Sequence, residues 1–163
     1  MTEIDQASQA KVEQIISALK HKPGALLPIL HGVQDSLGYI PDTAISAIAS
    51  ALNQSRAEIH GVISFYHQFR TNPPGKHVIQ ICRAEACQSM GARELEAHVK
   101  QTLGVDFHQT TADREITLEA VYCLGNCACS PSVRVDDQIL GRMTTDKFDQ
   151  LTTQLKSQVL EVQ

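Results

Sequence analysis

The chain has 163 residues, enough for one domain or two small ones, with 42% hydrophobic residues, 20% charged residues and a formal net charge of -4. That balance excludes disorder as the main state, and a chain with no Lys/Arg stripe, 4% aromatics and no Trp is not built to track phosphates or stack bases, so no nucleic-acid partner is expected. No apolar run approaches the ~18 residues of a membrane span, and the polar start MTEIDQASQAK lacks the pattern of an export signal, which points to the cytoplasm, where thiols stay reduced.

The first 72 residues read as helices. Val12, Ile15, Ile16 and Leu19 recur on one helix face, at i, i+3, i+4, i+7 spacing. Pro23 suits the first position of a second helix, with Leu26, Leu30, Val33 and Leu37 as its stripe and Gly38 placed to end it. Asp42 is positioned to cap a third helix carrying Ile45, Ile48 and Leu52. Ser55 and Glu58 form a capping box ahead of Ile59, Val62, Ile63 and Tyr66. Four short amphipathic helices make a small helical bundle over residues 1–72.

Thr71-Asn72-Pro73-Pro74-Gly75 breaks the pattern and marks the boundary. Residues 73–163 read as an α/β unit. His77–Ile81 form a strand that delivers Cys82; Ala92, Leu95, Val99 and Leu103 mark a helix that Gly104 terminates. Residues 105–111 are ambiguous between loop and short strand. Ile116, Leu118, Ala120 and Tyr122 alternate as in a half-buried strand and deliver Cys123. Ser132–Val135 read as a further strand, with a turn near Asp136-Asp137, and Phe148, Leu151, Leu155 and Val159 mark a closing helix.

The five cysteines carry the chemistry: Cys82, Cys87, Cys123, Cys127 and Cys129. An odd count in a reducing compartment argues against a disulfide framework. Four of them form two pairs, Cys82-x4-Cys87 and Cys123-x3-Cys127, separated by 35 residues, and each pair follows an expected strand. Two strand-end loops on one sheet edge would bring four thiolates together, which suits an iron–sulfur cluster or zinc. Neither pair has the Cys-x2-Cys knuckle usual in structural zinc sites or in dithiol catalysts. No histidine sits beside either pair as a Rieske centre requires, and no tight Cys-x2-Cys-x2-Cys run favours a four-iron centre. A zinc-stabilised adaptor and a thioredoxin-like dithiol enzyme remain as the rival classes.

Asp113-Arg114-Glu115-Ile116-Thr117, five residues, then Cys123-Leu124-Gly125-Asn126-Cys127-Ala128-Cys129-Ser130-Pro131 closely resembles the signature of the small two-iron subunit of respiratory complex I. Ile116 stands where that pattern has Phe, and Ser130 where it has Gly or Ala; both read as changes of size around the loop. Gly61-Val62-Ile63-Ser64-Phe65-Tyr66 and Gly38-Tyr39-Ile40-Pro41 look like two further family segments, so the resemblance covers nearly the whole chain. It implies a helical N-terminal part followed by a thioredoxin-like [2Fe-2S] ferredoxin domain. It also implies one cluster on Cys82, Cys87, Cys123 and Cys127, with Cys129 in a free position. Family members sit beside a flavin- and NAD-binding subunit, with a further iron–sulfur or molybdenum subunit, in complex I, NAD-reducing hydrogenases and NAD-dependent molybdenum formate dehydrogenases. The run Cys82–Gln88 with Ser89-Met90-Gly91, and the run Asn126–Pro131, look most like the formate dehydrogenase gamma subunit.

The expected role is electron transfer, and no Gly-x-Gly-x-x-Gly or other phosphate loop suggests that the chain binds NAD or flavin itself. Formate oxidation or hydride transfer would belong to partner chains. Elsewhere, Phe65 and Tyr66 read as packing residues and Gly125 as a tight turn or a close backbone approach. His60 and His67 fall seven apart on one helix face. Arg83 beside the first pair reads either as a charge that tunes the cluster or as a solvated side chain.

Overall fold

The structure, a computed structural model, describes residues 6–157. The chain divides into two compact units, Met1–Pro73 and Pro74–Gln163.

The first unit holds α1 (Gln6–Leu19), α2 (Leu26–Leu37), α3 (Asp42–Leu52) and α4 (Arg56–Phe65). Their apolar stripes meet in one apolar core, with Ile29, Leu30, Val33, Ile45, Ile48 and Ile59 fully or almost fully buried. Ser55 caps α4 as its sequence requires: the Glu58 N–H donates to Ser55 Oγ at 3.2 Å and the Ser55 N–H donates to Glu58 Oε2 at 2.7 Å. Gly38 ends α2 at φ 81°, and its N–H returns to the Gln34 carbonyl at 2.7 Å.

Two helix starts differ from expectation. Gly24 takes a positive φ of 67°, which a helix cannot continue through, so α2 begins at Leu26 and Pro23 stays in the preceding turn. Asp42 is the first residue of α3 rather than its cap; Pro41 occupies the cap, and the Asp42 carboxylate is bidentate to Arg56 at 2.8 and 3.0 Å.

The second unit is a five-stranded mixed sheet in the order β2-β3-β1-β4-β5. The strands are β1 (His77–Cys82), β2 (Gln109–Thr110), β3 (Ile116–Val121), β4 (Val133–Val135) and β5 (Gln138–Leu140). The short helix α5 (Glu85–Ser89) and α6 (Ala92–Leu103) follow β1, and α7 (Thr145–Ser157) follows β5. β1 and β3 are adjacent and parallel, with Ile79 opposite Leu118 and Cys82 opposite Val121. Ile79, Ile81, Ile116, Leu118, Val133 and Val135 therefore share one face, and they pack with Leu95 and Val99 of α6 and Phe148 of α7. The ambiguous stretch 105–111 contains the two-residue strand β2. Val159, assigned to the last helix stripe, lies outside the described residues.

β3 is not half-buried. Its first four residues are all buried, because the face carrying Thr117 and Glu119 is covered too. Thr117 Oγ1 receives the Gly75 N–H at 2.6 Å, and Glu119 pairs with His108 at 2.6 Å. Gly75 is required there: a Cβ would stand 2.9 Å from the backbone of residues 114–116.

Candidate metal centre

The parallel register of β1 and β3 places their C-terminal ends at one edge of the sheet, where ligands of α/β folds gather. Cys82 closes β1, Cys87 lies one turn on in α5, and Cys123 leaves β3 two residues after Val121. Cys127 opens a single 3-10 turn, Cys127–Cys129. The loops are joined at the backbone: Arg83 N–H donates to the Val121 carbonyl at 2.7 Å and Cys82 N–H to the Ser132 carbonyl at 3.1 Å.

The four sulfurs form two pairs of unlike exposure. Cys82 and Cys87 are each 2% exposed, whereas Cys123 and Cys127 are exposed. Cys123 Sγ and Cys127 Sγ stand 3.9 Å apart. Two thiolates on one tetrahedral metal, at a metal–sulfur bond near 2.3 Å, stand about 3.8 Å apart, so this pair is spaced to share a metal. Among the described residues no three His, Cys, Asp or Glu side chains converge as ligands of a single ion. Two pairs of thiols are the donor set that a two-iron cluster uses, one pair to each iron.

Local backbone chemistry sets the pairs. Gly125, at φ 73°, turns its N–H back to Cys123 Sγ at 3.3 Å. A Cβ at Gly125 would meet no protein atom within 4 Å, so the turn and not protein crowding calls for glycine. Cys123 itself lies at φ 155°, a region L-residues seldom adopt. Asp113 organises the turn that leads into β3, accepting the Glu115 N–H at 3.1 Å. Burial pushes the Cys82 thiol up, with the Ala84 and Leu124 N–H groups pulling the other way. Burial acts upward on Cys87 as well, but hydrogen bonding to Ser130, Cys82 and Ser132 outweighs it and leaves Cys87 below the usual thiol range. Its hydrogen bond with Cys123 and the repulsion between their charges raise Cys127.

Sequence reading missed three supports of this loop. Ser130 and Ser132 are buried, and Ser132 Oγ lies 3.2 Å from Asn126 Nδ2. Gly141, after β5, is pressed against the loop: a Cβ there would fall 2.7 Å from Cys129 Cβ and 2.8 Å from Asn126 Nδ2. The neighbouring Arg142 and Met143 N–H groups bind the Cys129 and Pro131 carbonyls. Ser130 was visible as a departure from the signature; Gly141 carried no local signal, because its constraint comes from a remote segment.

The remaining histidines and aromatics, and Arg83, have their own partners or exposure. His60 lies on α4, 3.9 Å from Asp42, but α4 ends at Phe65, so His67 shares no helix face with it. His77 pairs with Asp136 at 2.7 Å at the start of β1, away from the cysteine end of the strand. Phe65 is 74% exposed and only Tyr66 packs on the helical core. Arg83 is neither free nor simply solvated: Glu96 holds it at 2.9 Å and Phe107 lies 5.2 Å beneath it.

Residues 12–156 match the family described as thioredoxin-like [2Fe-2S] ferredoxin. This chain belongs to that family. The [2Fe-2S] cofactor of the family thus meets a donor set of two cysteine pairs, which fits it. One NADH-quinone oxidoreductase subunit from Pseudomonas aeruginosa is 32% identical over 143 residues, covering 88% of this chain and 86% of that one. The HndA subunit of the NADP-reducing hydrogenase from Solidesulfovibrio fructosivorans is 33% identical over 134 residues, covering 82% and 78%. A solved NAD+-reducing [NiFe]-hydrogenase superposes with a TM-score of 0.70 at 23% identity; the match covers 86% of this chain and 24% of that one, and shows the fold. No helix among the described residues is long and apolar enough to cross a membrane.

Proposed function

We propose that this protein is a non-catalytic electron-transfer subunit of an NAD(P)-linked oxidoreductase assembly. Cys82 and Cys87 would hold one iron of a single [2Fe-2S] cluster, and Cys123 and Cys127 the other. The observation that carries this reading is the pairing of the four thiols at the ends of two adjacent parallel strands. When bound, the cluster supplies one-electron transfer. The protein keeps one thiol pair dry and leaves the other at the surface, where a redox partner can approach.

The assembly is of the complex I or NAD(P)-reducing hydrogenase type, and its flavin-bearing subunit is the proposed neighbour. The formate dehydrogenase setting suggested by the Cys82–Gly91 and Asn126–Pro131 runs gives way here, because the relatives named above are subunits of NADH-quinone oxidoreductase and hydrogenase. Anaerobic purification tests the reading. The expected protein is red-brown, holds two irons per chain and gives a rhombic EPR signal after reduction. Colourless protein that holds zinc as isolated, and takes up no iron on reconstitution, would point to the adaptor class instead. Co-purification with a flavoprotein after tagging the chain in its native host tests the assembly.

A further inference from the structure

Ser130 stands where the family pattern has Gly or Ala, and the difference is more than size. Its side chain is buried and has two neighbours: it donates to the Cys127 carbonyl at 2.8 Å, and Cys87 Sγ lies 3.5 Å away as a thiol donor. One buried hydroxyl thus touches both cysteine loops. A metal-bound Cys87 has no proton to give and becomes an acceptor. The single Ser130 proton then has two acceptors, a neutral carbonyl and a charged sulfur. Hydrogen bonds to charged groups are about twice as strong as those between neutral groups.

We propose that the Ser130 hydroxyl donates to the Cys87 thiolate when that sulfur holds iron, and that this hydrogen bond raises the reduction potential of the cluster. Adding one electron takes the cluster from about -2 to about -3 by formal ligand counting, with no proton taken up. A donor aimed at a ligand sulfur stabilises the more negative state more, and hydrogen bonds to sulfur are among the levers that set these potentials. Burial strengthens the effect, because little water competes for the hydroxyl. The inference rests on Cys87 being a ligand.

The test uses the full chain, purified anaerobically as wild type, Ser130→Ala, Ser130→Thr and Cys87→Ser. Each is titrated with mediated reductant while EPR follows the reduced signal. Ser130→Ala restores a residue type the family pattern allows; it is expected to keep its iron and show a lower midpoint potential, with Ser130→Thr close to wild type. Exchange into D2O should shift the iron–cysteine stretches in the resonance Raman spectrum of the wild type, and less so in Ser130→Ala. A midpoint that is unchanged or raised in Ser130→Ala overturns the inference, leaving the ligand set intact if Cys87→Ser has lost its iron. Cys87→Ser with native iron and a native EPR signal overturns the ligand assignment itself. Should Ser130→Ala hold no iron, Ser130→Gly, the other residue the family pattern allows, takes its place in the titration: a midpoint below wild type supports the hydrogen bond, and an unchanged or raised one overturns it.

Discussion

The two units bury different chemistry. The helical unit closes on apolar side chains, Ile29, Leu30, Val33, Ile45, Ile48, Ile59 and Phe69 among them. Among the described residues every buried polar or charged side chain, Thr111, Thr117, Glu119, Ser130, Ser132 and Thr152, lies in the second unit together with the two buried thiols. A buried polar group costs stability unless it is bonded, so such groups persist where they position something. Five of the six lie on β3, beside its leading turn, or in the Asn126–Ser132 loop, the segments that carry Cys123 and Cys127 to the sheet edge. Core polarity therefore marks where the second unit spends stability on its centre, and the first unit shows what the same chain does without one.

The strongest way to break this contrast is at the sulfurs. Cys127→Ser should lose the cluster or show an altered EPR signal from substitution by the nearby Cys129, while Cys129→Ser should keep near wild-type iron and a rhombic signal. The reverse pattern, read by iron per chain, would mean the ligand set is wrong. In the helical unit, Leu30→Ala should cost about 2–5 kcal/mol, the usual range for a large-to-small change in a closed core. Chemical denaturation followed by far-ultraviolet circular dichroism should show the loss, with the visible cluster spectrum unchanged before the transition. Bleaching at the same denaturant concentration would show that the two units are not separately stable.

Gly141→Ala sharpens the comparison at a point where the second unit has no slack. Its Cβ would press on Cys129 and Asn126, so a cost of about 1–3 kcal/mol is expected, together with altered EPR anisotropy from a displaced Cys127 loop. Unchanged EPR and stability would show that the loop gives way freely. The smallest effect should come from Asp106. Its carboxyl is held below the usual range by a hydrogen bond from Lys100 and then one from the Phe107 N–H. A depressed carboxylate contributes stability above its unfolded pKa and loses it as pH falls through the folded one. Lys100, raised by Glu96 and then Asp106, stays charged throughout that window. Asp106→Asn should lower Tm slightly at pH 7 and match wild type near pH 2; an equal deficit at both pH values would remove the electrostatic explanation.

Much of this architecture was legible in the sequence where the determining contacts are local. The Ser55–Glu58 box, the Gly38 and Gly104 helix ends and the stripe Ala92, Leu95, Val99 and Leu103 involve residues within one or two turns. The cysteine pairs were readable because each follows a strand. What the sequence hid was non-local. The second face of β3 is filled by Gly75, Thr110 and His108, none of which its alternation reveals. Pro23 misled because Gly24 beside it takes a left-handed turn. The supports of the centre are non-local: Ser130 shows in the sequence as a departure from the signature, but its contact with Cys87 lies 43 positions away, and Gly141 meets Asn126 across a hairpin.

The flush register of β1 with β3, Cys82 opposite Val121, makes the chain's tolerance of insertions and deletions uneven. A residue added inside either strand would slide one cysteine pair about 3.3 Å past the other and turn alternate side chains to the opposite face. The link from Gly104 to His108, between α6 and β2, carries no thiol and precedes a two-residue edge strand. Growth there would disturb the seats of Phe107 and His108 but leave the spacing of the two pairs untouched. Length variation in proteins built on this plan is therefore expected to collect before β2 and to avoid β1 and β3.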